Sequence, residues 1–302
     1  MLDNLIHIAV LLLVPPLLPG VIAKTKAWFA GRDGPPLFQP YYDIAKCLRR
    51  GWVVSETTTW IFLAGPVVTL AATLLAGLMV PLGRAHAPIA FTGDLVLFAY
   101  LFGLARFFTT SAALDTGSAF EGMGAAREVT FACLSEPALF FAFLVLAKIS
   151  GAFSLTPMLH APTVAFSAGI AAPLILILIG LFIVLLAETC RIPVDDPNTH
   201  LELTMIHEAM VLDHSGPLFG IILYAAAMKM LVLGTLVLQV LVPFLPGRDV
   251  LRGPLFLVLL VALAVLIGGV ESVMARLKMR HVPYLLVGAL LFCGFGFILL
   301  IR

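Results

Sequence analysis

Runs of apolar residues about 17–25 long, the length an α-helix needs to cross roughly 30 Å of hydrocarbon, recur along this sequence at residues 5–23, 60–82, 91–113, 129–149, 166–187, 218–244, 254–270 and 282–301. In lipid every backbone N–H and C=O needs a partner inside the protein, and a helix supplies those partners within one segment. The expected fold is therefore all-α: a single polytopic membrane domain over residues 1–302 with about eight transmembrane helices. Composition points the same way, because only 12% of the residues are charged, against about 25% in a soluble protein. Disorder and secretion as a soluble chain are excluded by this hydrophobicity. The near balance of 18 Lys+Arg against 17 Asp+Glu offers no basic surface for nucleic acid.

Pro15, Pro16 and Pro19 predict a kinked first helix, which a membrane tolerates where neighbours satisfy the freed carbonyls. The acidic start, Met1-Leu-Asp-Asn, and the lack of an A-x-A site speak against a cleaved signal peptide. Orientation follows from Lys and Arg, which resist translocation. Eleven of them fall in loops one, three, five and seven, and four in the even loops and the C-terminus. Both termini are expected outside, with long loops one, three, five and seven in the cytoplasm. Cys47, Cys133, Cys190 and Cys293 stand apart with no CxxC, so no metal and no disulfide is expected in this chain. Any redox metal belongs to a partner.

The expected cytoplasmic loops hold the chemistry. Loop one, Gly31-Arg32-Asp-Gly-Pro to Asp43-Ile-Ala-Lys46, is long for a connection and carries basic residues suited to headgroups or a docked partner, with Ile44–Leu48 able to begin a short amphipathic helix. Loop three gathers Asp115, Glu121, Arg127 and Glu128. Its Gly122-x-Gly124 lacks the strand, third glycine and lysine of a phosphate-binding loop. Loop five has five carboxylates and no Lys or Arg between Asp195 and His214. Pro197 fits a helix start, and Leu201, Met205, Ala209 and Leu212 give one apolar stripe, so a helix along the membrane surface or a partner is expected. His200, His207 and His214 recur every seven residues. At 1.5 Å per residue they lie about 10 Å apart, too far for one ion, which leaves a polar interface or a proton relay.

Within the spans, Arg106, Glu136 and Lys229 lie deep, and Glu188 and Glu271 mark cytoplasmic ends. A charge at mid-membrane costs about 2.5–3.5 kcal/mol on the gentler insertion scale, so such residues face protein or water. They form either a static buried ion pair or a protonation pathway.

The loop motifs Gly31-Arg-Asp-Gly-Pro, Gln39-Pro-Tyr-Tyr-Asp43-Ile-Ala-Lys46, Leu114-Asp-Thr-Gly-Ser, Gly124-Ala-Ala-Arg127-Glu128, Glu136-Pro, Ala187-Glu-Thr-Cys-Arg191-Ile-Pro-Val-Asp195 and Glu271-Ser-Val-Met-Ala-Arg276 together resemble the respiratory complex I subunit 1 superfamily. Within it, the pattern is closer to the membrane subunit of formate hydrogenlyase, hydrogenase-4 and other group 4 [NiFe] hydrogenases. The resemblance covers the whole chain, in order.

It implies a non-catalytic subunit of an oxidoreductase complex in a bacterial or archaeal cytoplasmic (inner) membrane. An iron–sulfur small subunit, a NiFe large subunit and antiporter-like membrane subunits are the implied partners, and they hold the NiFe centre and iron–sulfur clusters. Glu136, Glu188, Asp195, Glu202, Glu208, Glu271, Lys229 and Arg106 are the implied proton path. Arg32, Asp43, Lys46, Asp115, Arg127, Glu128, Arg191 and Arg276 form the loop charges at the docking surface. In the complex I branch loop five usually reads Phe-Asp-Leu-x-Glu-x-Glu-x-Glu-Leu; here it is Val194-Asp-Asp-Pro-Asn-Thr-His-Leu-Glu202-Leu, which weighs against a quinone cavity of that type. The alternative is a subunit 1-like component of a quinone-reducing respiratory complex. A solitary transporter is disfavoured by the lack of an internal repeat, and an intramembrane enzyme by the lack of a ligand-spaced metal set or a nucleophile dyad.

Overall fold

The computed structural model describes residues 2–83, 85–164, 168–195, 206–244 and 254–301. Its helices are α1 (Leu2–Leu13), α2 (Leu17–Phe29), α3 (Gln39–Leu48), α4 (Trp60–Met79), α5 (Asp94–Asp115), α6 (Ala119–Ser150), α7 (Leu155–Val164), α8 (Ala168–Glu188), α9 (Gly216–Leu241), α10 (Pro254–Val273) and α11 (Val282–Ile301). No strand occurs among the described residues. Seven helices, α4, α5, α6, α8, α9, α10 and α11, are long and apolar enough to cross a membrane. The pair α1 and α2, bent by 49° at residues 14–16, makes an eighth span if counted as one. Pro15 and Pro16 sit in that break: each lacks an N–H, and a proline ring clashes with the carbonyl four residues back.

The fold is organised around α9, the most deeply buried of the candidate spans. It touches α2, α3, α4, α8 and α10; α5 packs on α4 and α6, α11 on α6 and α8, and α10 on α2. Met228, Leu231, Phe143, Met158 and Ile177 form part of one continuous apolar core. Polar side chains fix the helix ends. At one end the fully buried Asp94 accepts from Leu155 N at 2.7 Å and Ser154 Oγ at 2.8 Å, tying α5 to α7. At the other, Asp115 accepts from Thr59 N at 2.6 Å at the start of α4.

Two segments differ from the sequence expectation. The third loop shrinks to residues 116–118, because α6 begins at Ala119 and runs 32 residues; Ala119, Glu121, Met123, Ala125, Ala126, Arg127 and Glu128 favour a helix, which runs through Gly122 and Gly124 to join the apolar span. In loop five the expected long helix is absent from residues 206–215, where only a 3₁₀ turn, Glu208–Val211, forms. Carboxylates take the backbone donors there: Asp195 accepts from Ile206 N and His207 N at 3.1 and 3.3 Å, and Glu121 from Asp213 N at 3.0 Å. The rest of that predicted helix, with His200 and Glu202, lies outside the described residues.

Close approach of α8 and α11 depends on Gly180, where a Cβ would stand 2.3 Å from Cys293 Sγ and 3.1 Å from the Ala289 carbonyl. Overpacking of this kind destabilises by about 1–3 kcal/mol. Gly180→Leu is expected to lower the thermal unfolding midpoint in detergent by several degrees. Gly288→Leu, on an open face of α11, should leave it nearly unchanged.

Candidate functional site: a buried ionic network

Four helices deliver five ionisable side chains to one place. Arg106 comes from α5, Glu128 and Glu136 from α6, Glu188 is the last residue of α8, and Lys229 lies at the centre of α9. Arg106 Nε is 3.3 Å from Glu128, its Nη1 pairs with Glu136, and its Nη2 is 2.7 Å from Glu188. Lys229 Nζ reaches the second oxygen of Glu188 at 2.7 Å and stands over the Phe102 ring at 5.9 Å. Ser135 Oγ donates to Glu188 at 2.6 Å. Twelve residues separate Arg106 from Asp94, fourteen Glu136 from Ser150 and twelve Lys229 from Leu241. At 1.5 Å per residue all three lie about 18–21 Å from those helix ends, well inside helices long enough to cross roughly 30 Å of hydrocarbon.

A second group lies where α2 packs on α10 and the segment after α8 approaches them. Glu271, its side chain fully buried, is 2.8 Å from Lys26 and 3.6 Å from Arg191; Arg276 is 2.9 Å from Asp195. Cys190 turns the chain between the two groups. It takes φ +52°, the left-handed position that glycine usually fills after a helix, and Arg191 N bonds back to the Leu186 carbonyl at 2.8 Å, as in a Schellman ending. Burial pushes the Cys190 thiol well above its usual range, so it stays protonated at neutral pH.

Each group borders a cavity. A small one of about 80 Å³ is lined by Thr69, Thr109, Arg106, Glu188, His207 and Lys229, with the Thr69 and Thr109 hydroxyls 2.9 Å apart. That is room enough for water, which needs a polar lining of this kind to be held. The larger cavity, about 620 Å³, is bordered by Lys26, Arg191, Asp195, Glu208 and Glu271. Thr189, Cys190, His207 and His214 line both. Burial lowers the affinity of His207 and His214 for protons, and His214 stacks on Phe62 at 4.0 Å.

Several loop residues expected at the docking surface have partners within the chain. Glu128 faces Arg106, Arg191 faces Glu271 and Arg276 faces Asp195. Asp115 caps α4, and Arg127 donates to Met123 Sδ. The three carboxylates and the arginine of loop three thus do not form one cluster. Arg32, Asp43 and Lys46 are exposed, Asp43 accepting from Gln39 at 2.8 Å. Sequence reasoning missed Ser135, Thr69, Thr109 and Lys26 as site residues. A polar position one turn from a buried charge, as Thr109 is from Arg106, was the available signal. Among the described residues no three His, Cys, Asp or Glu side chains are grouped to hold a metal.

A sequence model described as NADH dehydrogenase matches residues 3–302. The chain belongs to this family. This NADH dehydrogenase family member is 32% identical over 303 residues to formate hydrogenlyase subunit 4 of Escherichia coli (strain K12), covering 97% of this chain and 94% of that one. It is 30% identical over 285 residues to hydrogenase-4 component C of the same organism, covering 91% and 89%. A chain of the membrane-bound sulfane sulfur reductase, an archaeal respiratory membrane complex, superposes with a TM-score of 0.83 at 23% identity, over 99% of this chain and 98% of that one, a likeness of fold. The relatives are thus subunits of membrane hydrogenase or respiratory complexes, and this chain is a multi-pass membrane member of their family.

Removing one partner of a buried ion pair destabilises by about 3–5 kcal/mol. Arg106→Leu strips the cation from three carboxylates and is expected to reduce accumulation in membranes sharply, with Arg106→Lys intermediate, as read by quantitative immunoblotting and thermal unfolding. The buried imidazole of His207 gives a pH dependence. Above its ordinary value of 6.5 the folded and unfolded chains both hold it neutral; below that value the unfolded chain protonates first, so stability falls as pH drops from 7 to 5. The fall in unfolding midpoint should be shallower in His207→Gln.

Proposed function

We propose that this chain is the membrane-anchor and coupling subunit of a complex-I-like, membrane-bound [NiFe] hydrogenase of the formate hydrogenlyase type. In this reading the odd-numbered loops face the cytoplasm, both termini lie outside the bacterial or archaeal inner membrane, and the loops dock an iron–sulfur small subunit and a NiFe large subunit. All redox cofactors belong to those partners, and this chain performs no redox step. Its buried carboxylates supply part of a proton path towards antiporter-like subunits. The observation that carries the reading is the Arg106 network, where Glu188, at the end of α8, lies between two cations beside a cavity with room for water.

The chemistry follows from electrostatics. Electrons delivered to a docked arm add negative charge near the mouth of the large cavity. That charge raises the proton affinity of Asp195 and Glu208, which border it, and of Glu202 in the same loop. His207, lining both cavities, lies between that mouth and Glu188. Coupling then needs two states of the network with different proton access. A second reading, the subunit 1-like component of a quinone-reducing complex, is favoured by one observation: the 620 Å³ cavity falls in the size range of small-molecule sites.

Gentle purification of the complex from native membranes, with subunit identification and Ni and Fe analysis, separates these readings. Nickel with hydrogen evolution supports the first. Iron without nickel, together with quinone-dependent turnover, supports the second, and a solitary chain contradicts both. Within the first reading, Glu188→Gln is expected to retain most hydrogen evolution in detergent while losing most proton movement per hydrogen in vesicles. Unchanged coupling would overturn the proton-path role.

A further inference from the structure

Glu136 is the one member of the Arg106 network that the fold leaves uncovered. Its side chain is 47% exposed, whereas those of Arg106 and Glu188 are 10% exposed. It shares the depth of Arg106 and Lys229, so water at the membrane surface does not reach it directly, and it lines neither cavity. Its exposed surface points sideways, where lipid or another protein must lie. Charged side chains at such depth face protein or water.

The surroundings describe what covers it. Ala126, Val129, Cys133, Glu136, Phe140 and Leu144 are exposed at spacings of three and four along α6, which makes one stripe of the helix. Glu136 is the charge at its middle, one turn from the small Cys133, which permits close helix approach; the stripe's next position, Lys148, is in the last turn of α6. Phe107 of α5, 62% exposed, stands beside Arg106 in sequence. The network itself holds three carboxylates, Glu128, Glu136 and Glu188, against two cations, Arg106 and Lys229. One positive charge is missing, and the uncovered member is a carboxylate.

We propose that the α5/α6 face around Glu136 is the docking surface for a neighbouring transmembrane subunit that presents one Lys or Arg at the depth of Glu136. That cation completes the charge balance and carries the ionic network across the subunit boundary. The inference rests on the chain belonging to a multi-subunit membrane assembly, and it adds the face, the depth and the charge of the contact.

The test uses the intact complex. A photoreactive phenylalanine analogue in place of Phe140 should crosslink to one transmembrane subunit, at a helix with a Lys or Arg within one turn of the adduct. Glu136→Lys should lose that subunit during purification, and changing the identified partner cation to Glu should restore it; such rescue separates a contact from a folding defect. Lipid adducts alone at position 140 in an otherwise intact complex, or a crosslinked helix without a cation, overturn this proposal and leave the proposed function standing. A chain that purifies alone overturns both.

Discussion

A guanidinium cannot be deprotonated at any ordinary pH, so Arg106, buried about 18 Å along α5 from its start, must be neutralised by what surrounds it. Three carboxylates from two other helices do so, and one of them, Glu188, is passed on to Lys229 of α9. The packing of α5, α6, α8 and α9 is therefore constrained by one cation. Buried ion pairs are weak sources of stability, since an apolar replacement often serves as well. A network kept at this depth is better understood as a device that holds charge in a defined place than as a fastening.

The arrangement around it separates two polar groups by a thin wall. Lys26, Arg191 and Glu271 lie on the side of the large cavity, and Arg106, Glu188 and Lys229 on the side of the small one. The residues bordering both are Thr189 and Cys190 just after α8, His207, Val211 and His214 of the segment entering α9, and Ile222 and Ala226 of α9 itself. That segment is held by side chains: Asp195, itself paired with Arg276, takes two of its N–H groups, and Glu121 takes a third. Charge at the loops and the position of His207 are thus linked through hydrogen bonds to one carboxylate. The left-handed turn at Cys190 sends the chain from the Glu188 side to the Glu271 side within three residues.

Much of this was legible in the sequence. Apolar length is a one-dimensional signal, so the candidate spans and the break at Pro15 and Pro16 could be read directly. Arg106, Glu136, Glu188 and Lys229 stood out because lipid penalises each of them singly. Which of them meet was not legible, because Arg106 and Glu188 are 82 residues apart and join only through helix packing. Glu128 looked like a surface charge beside Arg127, yet α6 continues through it and brings it, two turns before Glu136, to the same guanidinium. The apolar stripe Leu201, Met205, Ala209 and Leu212 predicts a helix after Pro197; over residues 206–215 only a 3₁₀ turn forms, because carboxylate acceptors from α6 and from Asp195 claim the backbone donors. No sequence rule marks Cys190 as left-handed, since that position ordinarily selects glycine.

In the proposed coupling, Glu188 changes its protonation or hydrogen bonding when the complex is reduced. Reduced-minus-oxidised infrared difference spectroscopy on the purified complex measures this directly, comparing wild type with Glu188→Gln. A carboxyl band present in the wild-type difference spectrum and absent from the variant is the predicted result; identical carboxyl regions in the two would contradict the claim.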